Sequence, residues 1–167
     1  MKFTFTNATE ADVSALIALH VAVAAGLTQR HGPGPWSSGP SSERAMLFQM
    51  RHAQTILARK GKTIAGSLRL ATKKPWAIDV AYFTPVKKPL YLTGMAVTPK
   101  LQRQGVGRSL LEQAITQARA WPADAIRLDA FDSGAGAGPF YAKCNFRETG
   151  RTKYRNAPLI YYEFLLH

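Results

Sequence analysis

Apolar residues in this chain fall into two rhythms, and the rhythms divide it into alternating strands and helices. Phe3-Thr4-Phe5 alternates as a short strand does. Thr9, with Asp12 three residues on, resembles a capping box and opens a helix predicted over 10–25. Val13, Leu16, Ile17, His20 and Ala24 lie along one face of that helix. Residues 26–40 hold four Gly and three Pro, together with His31 and Trp36, and read as a loop long enough to cover a site. Ser41 or Ser42 caps a second helix that runs to about residue 52. Two strands, 54–59 and 63–71, flank a Lys60-Gly61-Lys62 turn. Residues 78–83 are a further strand or an irregular extension, and 90–97 is a strand entered after Pro85 and Pro89. Beyond Gly105, the i, i+3, i+4, i+7 spacing of Leu111, Ala114, Ile115 and Ala118 predicts a helix that stops by Pro122. A strand at 126–131, a glycine-rich turn at 134–138 and a short helix at 139–143 with Pro at its start follow. Asn145 suits the left-handed residue that closes a helix. Strands at 146–154 and 159–166 complete a single domain over 1–167, without repeats.

The most chemically suggestive stretch is the strand Tyr91-Leu92-Thr93-Gly94-Met95-Ala96-Val97, followed by Gln102-Arg103-Gln104-Gly105-Val106-Gly107 and the helix. The first four N–H groups of a helix lack intrahelical partners, and the macrodipole makes that end positive, so a glycine turn there invites a phosphate. A dinucleotide fingerprint would need glycine where Leu110 stands. Gly61-Lys62-Thr63 imitates the end of a P-loop, but the earlier glycine that motif requires falls on Ile56.

Composition narrows the picture. Of 167 residues 46% are hydrophobic and 19% charged, as in a soluble globular domain. The longest apolar stretch, 13–27, falls short of the ~20 residues that span a bilayer, and the acidic residues before it argue against a signal peptide. A lone cysteine, Cys144, excludes an internal disulfide and fits a reducing, cytoplasmic setting. The four histidines show no metal-ligand spacing, so no metal is expected. Lys and Arg number 22 against 10 acids, a net charge of +12 that would gather polyanions. Nucleic acid is one such partner and a phosphate-rich cofactor another. The basic residues are scattered rather than gathered into a tail.

The strand ending Met95-Ala96-Val97, then Gln102-x-x-Gly105-x-Gly107, then Phe140-Tyr141-Ala142-Lys143-Cys144-Asn145-Phe146, resembles the GNAT superfamily of acyl-CoA N-acyltransferases. The resemblance implies an α+β fold: a mixed, mainly antiparallel sheet flanked by about four helices. In it the parallel strands 90–97 and 126–131 splay apart to admit the pantetheine arm of acetyl-CoA. Backbone groups of Met95, Ala96 and Val97 would hold the acyl carbonyl and pantetheine. Gln102, Arg103, Gln104, Gly105, Val106, Gly107 and Arg108 would form the pyrophosphate cradle, with Lys100 as an additional cation. The Met95 N–H would serve the oxyanion, and Tyr141 would protonate the departing thiolate as general acid.

The chain departs from the family pattern in three places. Asn145 replaces a glycine, and Asp132 stands where many relatives have asparagine, which weakens the cofactor contact carried over to it. The strand 91–97 has no carboxylate to act as base, which leaves Asp79, Asp129, His20 and His31 as substitutes. The expected activity is transfer of an acetyl group from acetyl-CoA to a small amine. The acceptor is expected under the 10–25 helix, the 26–40 loop and the 73–89 segment, with Trp36, Trp76, Tyr82 and Phe83 either as its walls or as anchors of surface loops. The alternatives are a tRNA-directed acetyltransferase, from the basic charge, and a non-catalytic acyl-CoA-binding module. No membrane partner is expected; a homodimer is compatible with the terminal strands.

Overall fold

Gly61, with φ of 61°, turns the chain between β2 (Gln54–Lys60) and β3 (Thr63–Ala71), and the predicted hairpin forms around it. The computed structural model describes residues 2–167, and the hairpin is the seed of its one sheet. β1 (Thr4–Asn7) borders β2, and β4 (Pro89–Val97) borders β3. β5 (Ala125–Phe131), β6 (Arg147–Tyr154) and β7 (Ala157–Leu165) complete the order β1-β2-β3-β4-β5-β7-β6. Every pairing is antiparallel except β4 with β5. The fold is the expected mixed sheet with four helices: α1 (Val13–His31), α2 (Glu43–Arg51), α3 (Val106–Ala120) and α4 (Gly138–Lys143).

Strand periodicity assigns each face its cover. Ile56, Leu68, Leu70, Leu90 and Leu92 point to one side, where Val106, Leu110, Leu111, Ala114 and Ala118 of α3 and Tyr141 of α4 close the main core. Leu57, Ile64 and Ala96 point to the other, against Val13, Leu16 and Leu19 of α1 and Met46 of α2. Ser42 caps α2 by accepting a hydrogen bond from the Ala45 N–H at 3.1 Å.

Two expectations change. The first helix does not end at residue 25: a 3-10 turn, Glu10–Asp12, leads into α1, which continues to His31 and stops at Gly32, with φ of 78°. Gly26, which suggested a loop, instead lies inside the helix, where a Cβ would make only ordinary contacts with Arg30 and Pro99. The continuous helix Glu10–His31 has 22 residues and a mean hydropathy of 1.7, so it is long and apolar enough to cross a membrane by composition, contrary to the sequence reading. In this fold its inner face lies on the sheet.

The second concerns 78–83, which is the irregular extension and not a strand. Its one turn, Val80–Tyr82, is capped by Asp79. That segment is stitched onto the sheet. The Tyr161 hydroxyl donates to the Ala77 carbonyl, and Thr84 Oγ1 donates to Glu163 Oε1 at 2.8 Å. Arg127, 4% exposed, donates to the Thr84 carbonyl at 2.8 Å and to the Tyr91 hydroxyl at 3.1 Å. Glu163, 1% exposed, faces Arg127 across the β5–β7 ladder and accepts from Arg147 at 2.7 Å. Glu163→Ala would take the carboxylate from Thr84 and from beside the buried Arg127, while Arg147, 65% exposed, returns to water. It is expected to destabilise the fold by about 1–3 kcal/mol, read as a lower denaturation midpoint with an unchanged m-value.

Candidate active site

The site begins with an extra residue. β3 and β4 pair as Ser67↔Ala96 and then Arg69↔Thr93, so β4 carries one residue more than β3 over that stretch. Gly94 is in the left-handed region, φ of 63°, which makes this a glycine bulge of the type that bends a strand and increases its twist. On its other side, β4 pairs with β5 only at Pro89↔Ala125, Leu90↔Ile126 and Tyr91↔Arg127. Beyond Tyr91 the two parallel strands part. The backbone groups of β4 that face β5 there have no strand partner, an edge opened in the middle of a sheet.

That edge runs into the glycine turn. After Thr98 and a single 3-10 turn, Pro99–Leu101, Arg103 and Gly105 both take positive φ, 62° and 87°. Gln102 is extended, and the left-handed Arg103 and Gly105 turn the chain into α3, whose first N–H groups lack intrahelical partners and form an amide nest. Gln102 does not reach outward: its Nε2 donates to the Val97 carbonyl at 3.0 Å and ties the turn to the strand end. Gln104 likewise donates to the Lys100 carbonyl at 3.2 Å. Val106 is buried in the core, so only its amide serves the cradle. Gly107 packs rather than bends, since a Cβ there would meet the Phe140 ring at 3.0 Å. Arg103 and Arg108 are exposed at the rim, Arg108 beside the Lys143 carbonyl.

Tyr141 comes from α4, 5% exposed, with its ring against Phe140, Phe146 and Tyr162. Burial, then the carboxylate of Asp129 and the Cys144 thiol, push its phenol above the ordinary range, so it stays protonated. Asp129, on β5, is itself raised by burial. Asn145 has φ of 69° and closes α4 as the sequence predicts. Cys144 is buried, and its thiol is raised chiefly by that burial, as for a small apolar residue. Asp132 pairs with Arg151 at 3.5 Å, which occupies its carboxylate toward β6.

On the face covered by α1 and α2 a cavity of about 250 Å³ reaches Gly94. His20 of α1, Ser38 of the connecting loop, Met46 and Gln49 of α2, and Arg69 of β3 line it. The loop after α1 thus forms part of the wall of this cavity. The aromatic walls are elsewhere. Trp36 stands edge-on to Phe131 at 5.8 Å, Trp76 is 85% exposed, and Tyr82 and Phe83 pack on Tyr161. Of the substitute bases, Asp79 caps its own turn and His31 is exposed near Gly134. His20 remains in the cavity wall, and burial, then the nearby Arg69 cation, lower its pKa.

An opened strand edge, an amide nest and a protonated buried tyrosine form the constellation that the three sequence motifs announce. A sequence model of the Acetyltransferase (GNAT) family matches residues 24–146. This chain belongs to the GNAT family. Solved structures agree in fold. An N-acetyltransferase from Staphylococcus aureus Mu50 superposes with a TM-score of 0.72 at 16% identity, covering 100% of both chains. The protein yncA from Salmonella typhimurium, solved with its cofactor acetyl-CoA, gives 0.73 at 15%, covering 99% of this chain and 94% of its own. The ribosomal-protein-S18-alanine N-acetyltransferase from Escherichia coli gives 0.70 at 20%, with 99% and 94% covered. No curated protein sequence matches the chain.

For a GNAT protein the opened edge and the amide nest fit the two ends of an acyl-CoA: amides for the arm, N–H donors for the pyrophosphate. Two contributors escaped the sequence reading, α2 as a wall and Arg69 as a floor. Arg69 sits in a strand run where alternation alone marks it as surface. His20 supplies a pH test. Its folded pKa lies below its unfolded value near 6.5, so the unfolded chain binds the extra proton first. Stability is full above that value and falls as pH drops through it. His20→Gln is expected to flatten the acid-side loss of Tm between neutral pH and about pH 5, measured by thermal melts across that range.

Proposed function

We propose that this GNAT protein transfers the acetyl group of acetyl-CoA to the primary amine of a small acceptor by direct attack with both substrates bound. The observation that carries the reading is the opened β4 edge leading without a break into the amide nest at Gly105, with Tyr141 behind it. Acetyl-CoA, when bound, supplies an activated thioester. Met95, Ala96 and Val97 offer backbone groups to the arm. Amides from Arg103 to Arg108 hold the pyrophosphate, with the Arg103 and Arg108 side chains adding charge at the rim. Holding both partners in one geometry removes much of the entropic barrier.

The Met95 N–H, just past the bulge, donates to the carbonyl oxygen as charge gathers there. Tyr141, kept protonated by burial, acts as general acid and donates its proton toward the sulfur that leaves. His20, neutral in the cavity wall, accepts the proton of the attacking ammonium, directly or through a water. A cavity of about 250 Å³ beneath a covering loop favours a small molecule over a macromolecular acceptor. The tRNA-directed reading rests on overall charge alone.

Tyr141→Phe is expected to lower kcat by about 100-fold while equilibrium binding of CoA stays intact. Thiol release across an amine panel, beside calorimetric CoA binding, measures both. Wild-type protein that binds CoA yet releases no thiol with any amine would make it the non-catalytic module instead. His20→Gln is expected to lose kcat/KM by about 100-fold at neutral pH and to recover towards pH 9, as the amine loses its proton to solvent unaided.

A further inference from the structure

The cavity has a charged floor that the reading above leaves without a task. Arg69 rises from β3 opposite Thr93, on the face that α1 and α2 cover. A Cβ built at Gly94 would lie 2.7 Å from Arg69 Cζ and 2.8 Å from each terminal nitrogen. Three nearly equal distances place the guanidinium plane flat on the Gly94 backbone. Its N–H donors, which lie in the plane, then spread sideways along the cavity floor. The bulge glycine is what admits the group so close to β4.

Among the described residues no carboxylate reaches ion-pair distance of Arg69. No Asp or Glu lines the cavity. An arginine stays charged even when half-buried, and its planar fork matches a carboxylate in two parallel hydrogen bonds. With Arg69 unpaired, the cavity is one anion short. Gln49 Oε1 is buried without a donor and, as an acceptor, suits an N–H of the ligand and not its carboxylate.

Position limits the ligand further. Gly94 immediately precedes Met95, so an anion at the edge of the Arg69 guanidinium and an amine presented at Met95 are close enough to belong to one small molecule. An amino acid, with ammonium and carboxylate on the same carbon or on adjacent ones, is the most compact unit that carries both. The rest of the cavity, with Val21, Ala24 and Met46 on its walls, takes an uncharged side chain.

We propose that Arg69 binds the carboxylate of the acceptor, and that the acceptor is a free amino acid with a neutral side chain. This rests on the acetyl-transfer reading, which supplies the direction of the amine. Arg69 is a specificity residue: it holds the substrate and leaves the reacting atoms to Met95, His20 and Tyr141.

The test compares neutral free amino acids with their carboxamides and with the matching amines that lack the carboxyl group, all with acetyl-CoA. The wild type is expected to favour each amino acid over its amide by on the order of 100-fold in kcat/KM. In Arg69→Gln that ratio should collapse towards one, mainly through KM, and Arg69→Lys should keep part of it. Calorimetry with protein saturated with CoA adds a readout without turnover: an amino acid binds the wild type and not Arg69→Gln. Thermal melts and CoA binding of each variant confirm folding, and Arg69→Lys carries the test if Arg69→Gln does not fold. Equal or better use of amides, decarboxylated amines or peptide N-termini by the wild type overturns the proposal while acetyl transfer stands. So does a ratio unchanged in a folded Arg69 variant. Failure of the wild type to bind CoA removes both.

Discussion

Backbone hydrogen bonds that the sheet declines to make are what the site is built on. Paired through their full lengths, β4 and β5 would satisfy every amide between them and leave no room for a ligand. Pairing stops after Tyr91 and Arg127 because the Gly94 bulge inserts a residue against β3 and swings the strand away. An unpaired buried amide is costly. On the proposed function, an acyl-CoA would bring amides of its own to that edge, and the vacancy in the ladder would be what binds it. The same glycine lets Arg69 lie against the strand, so a single bulge shapes both the acyl and the acceptor sides.

What keeps the sheet intact around this opening is reinforcement at the closed end of the fork. Arg127, Glu163, Tyr91 and Thr84 interlock below the point where the strands part, and the 72–88 segment is fastened over them by Tyr161. On the far side, α3 fills the main core with Leu110, Leu111 and Ala114 and holds its N-terminus at the mouth of the fork. The amide nest is rigid because the helix behind it is buried.

The parts legible in the sequence are those whose chemistry is local. Gly105 stands left-handed at the start of α3, Tyr141 lies on the short helix and Asn145 closes it, each where its sequence neighbours put it, whereas Gly107 serves packing against Phe140. Hairpin and helix periods placed nearly all the elements. The extension of α1 through Gly26 was hidden because glycine and proline usually mark loops, whereas this glycine sits within the helix and the chain turns only at Gly32. Arg69, Gln49 and the role of α2 were hidden for another reason. Which side chains share a cavity depends on strand register and on a bulge, and a one-residue shift moves a side chain to the other face. The aromatic residues could be read either as ligand walls or as loop anchors, and Trp36 and Phe83 pack as anchors.

The two faces of the sheet also differ in what they would tolerate. α1 and α2 close a small cluster of their own around Leu16, Leu19 and Met46, separate from the large core beneath α3. Substitutions at His20, Gln49 or the 38–41 loop touch that small cluster and leave the cradle's foundation alone. A protein so divided can be retargeted to a new acceptor, by selection or in the laboratory, without relearning how to hold its acyl donor.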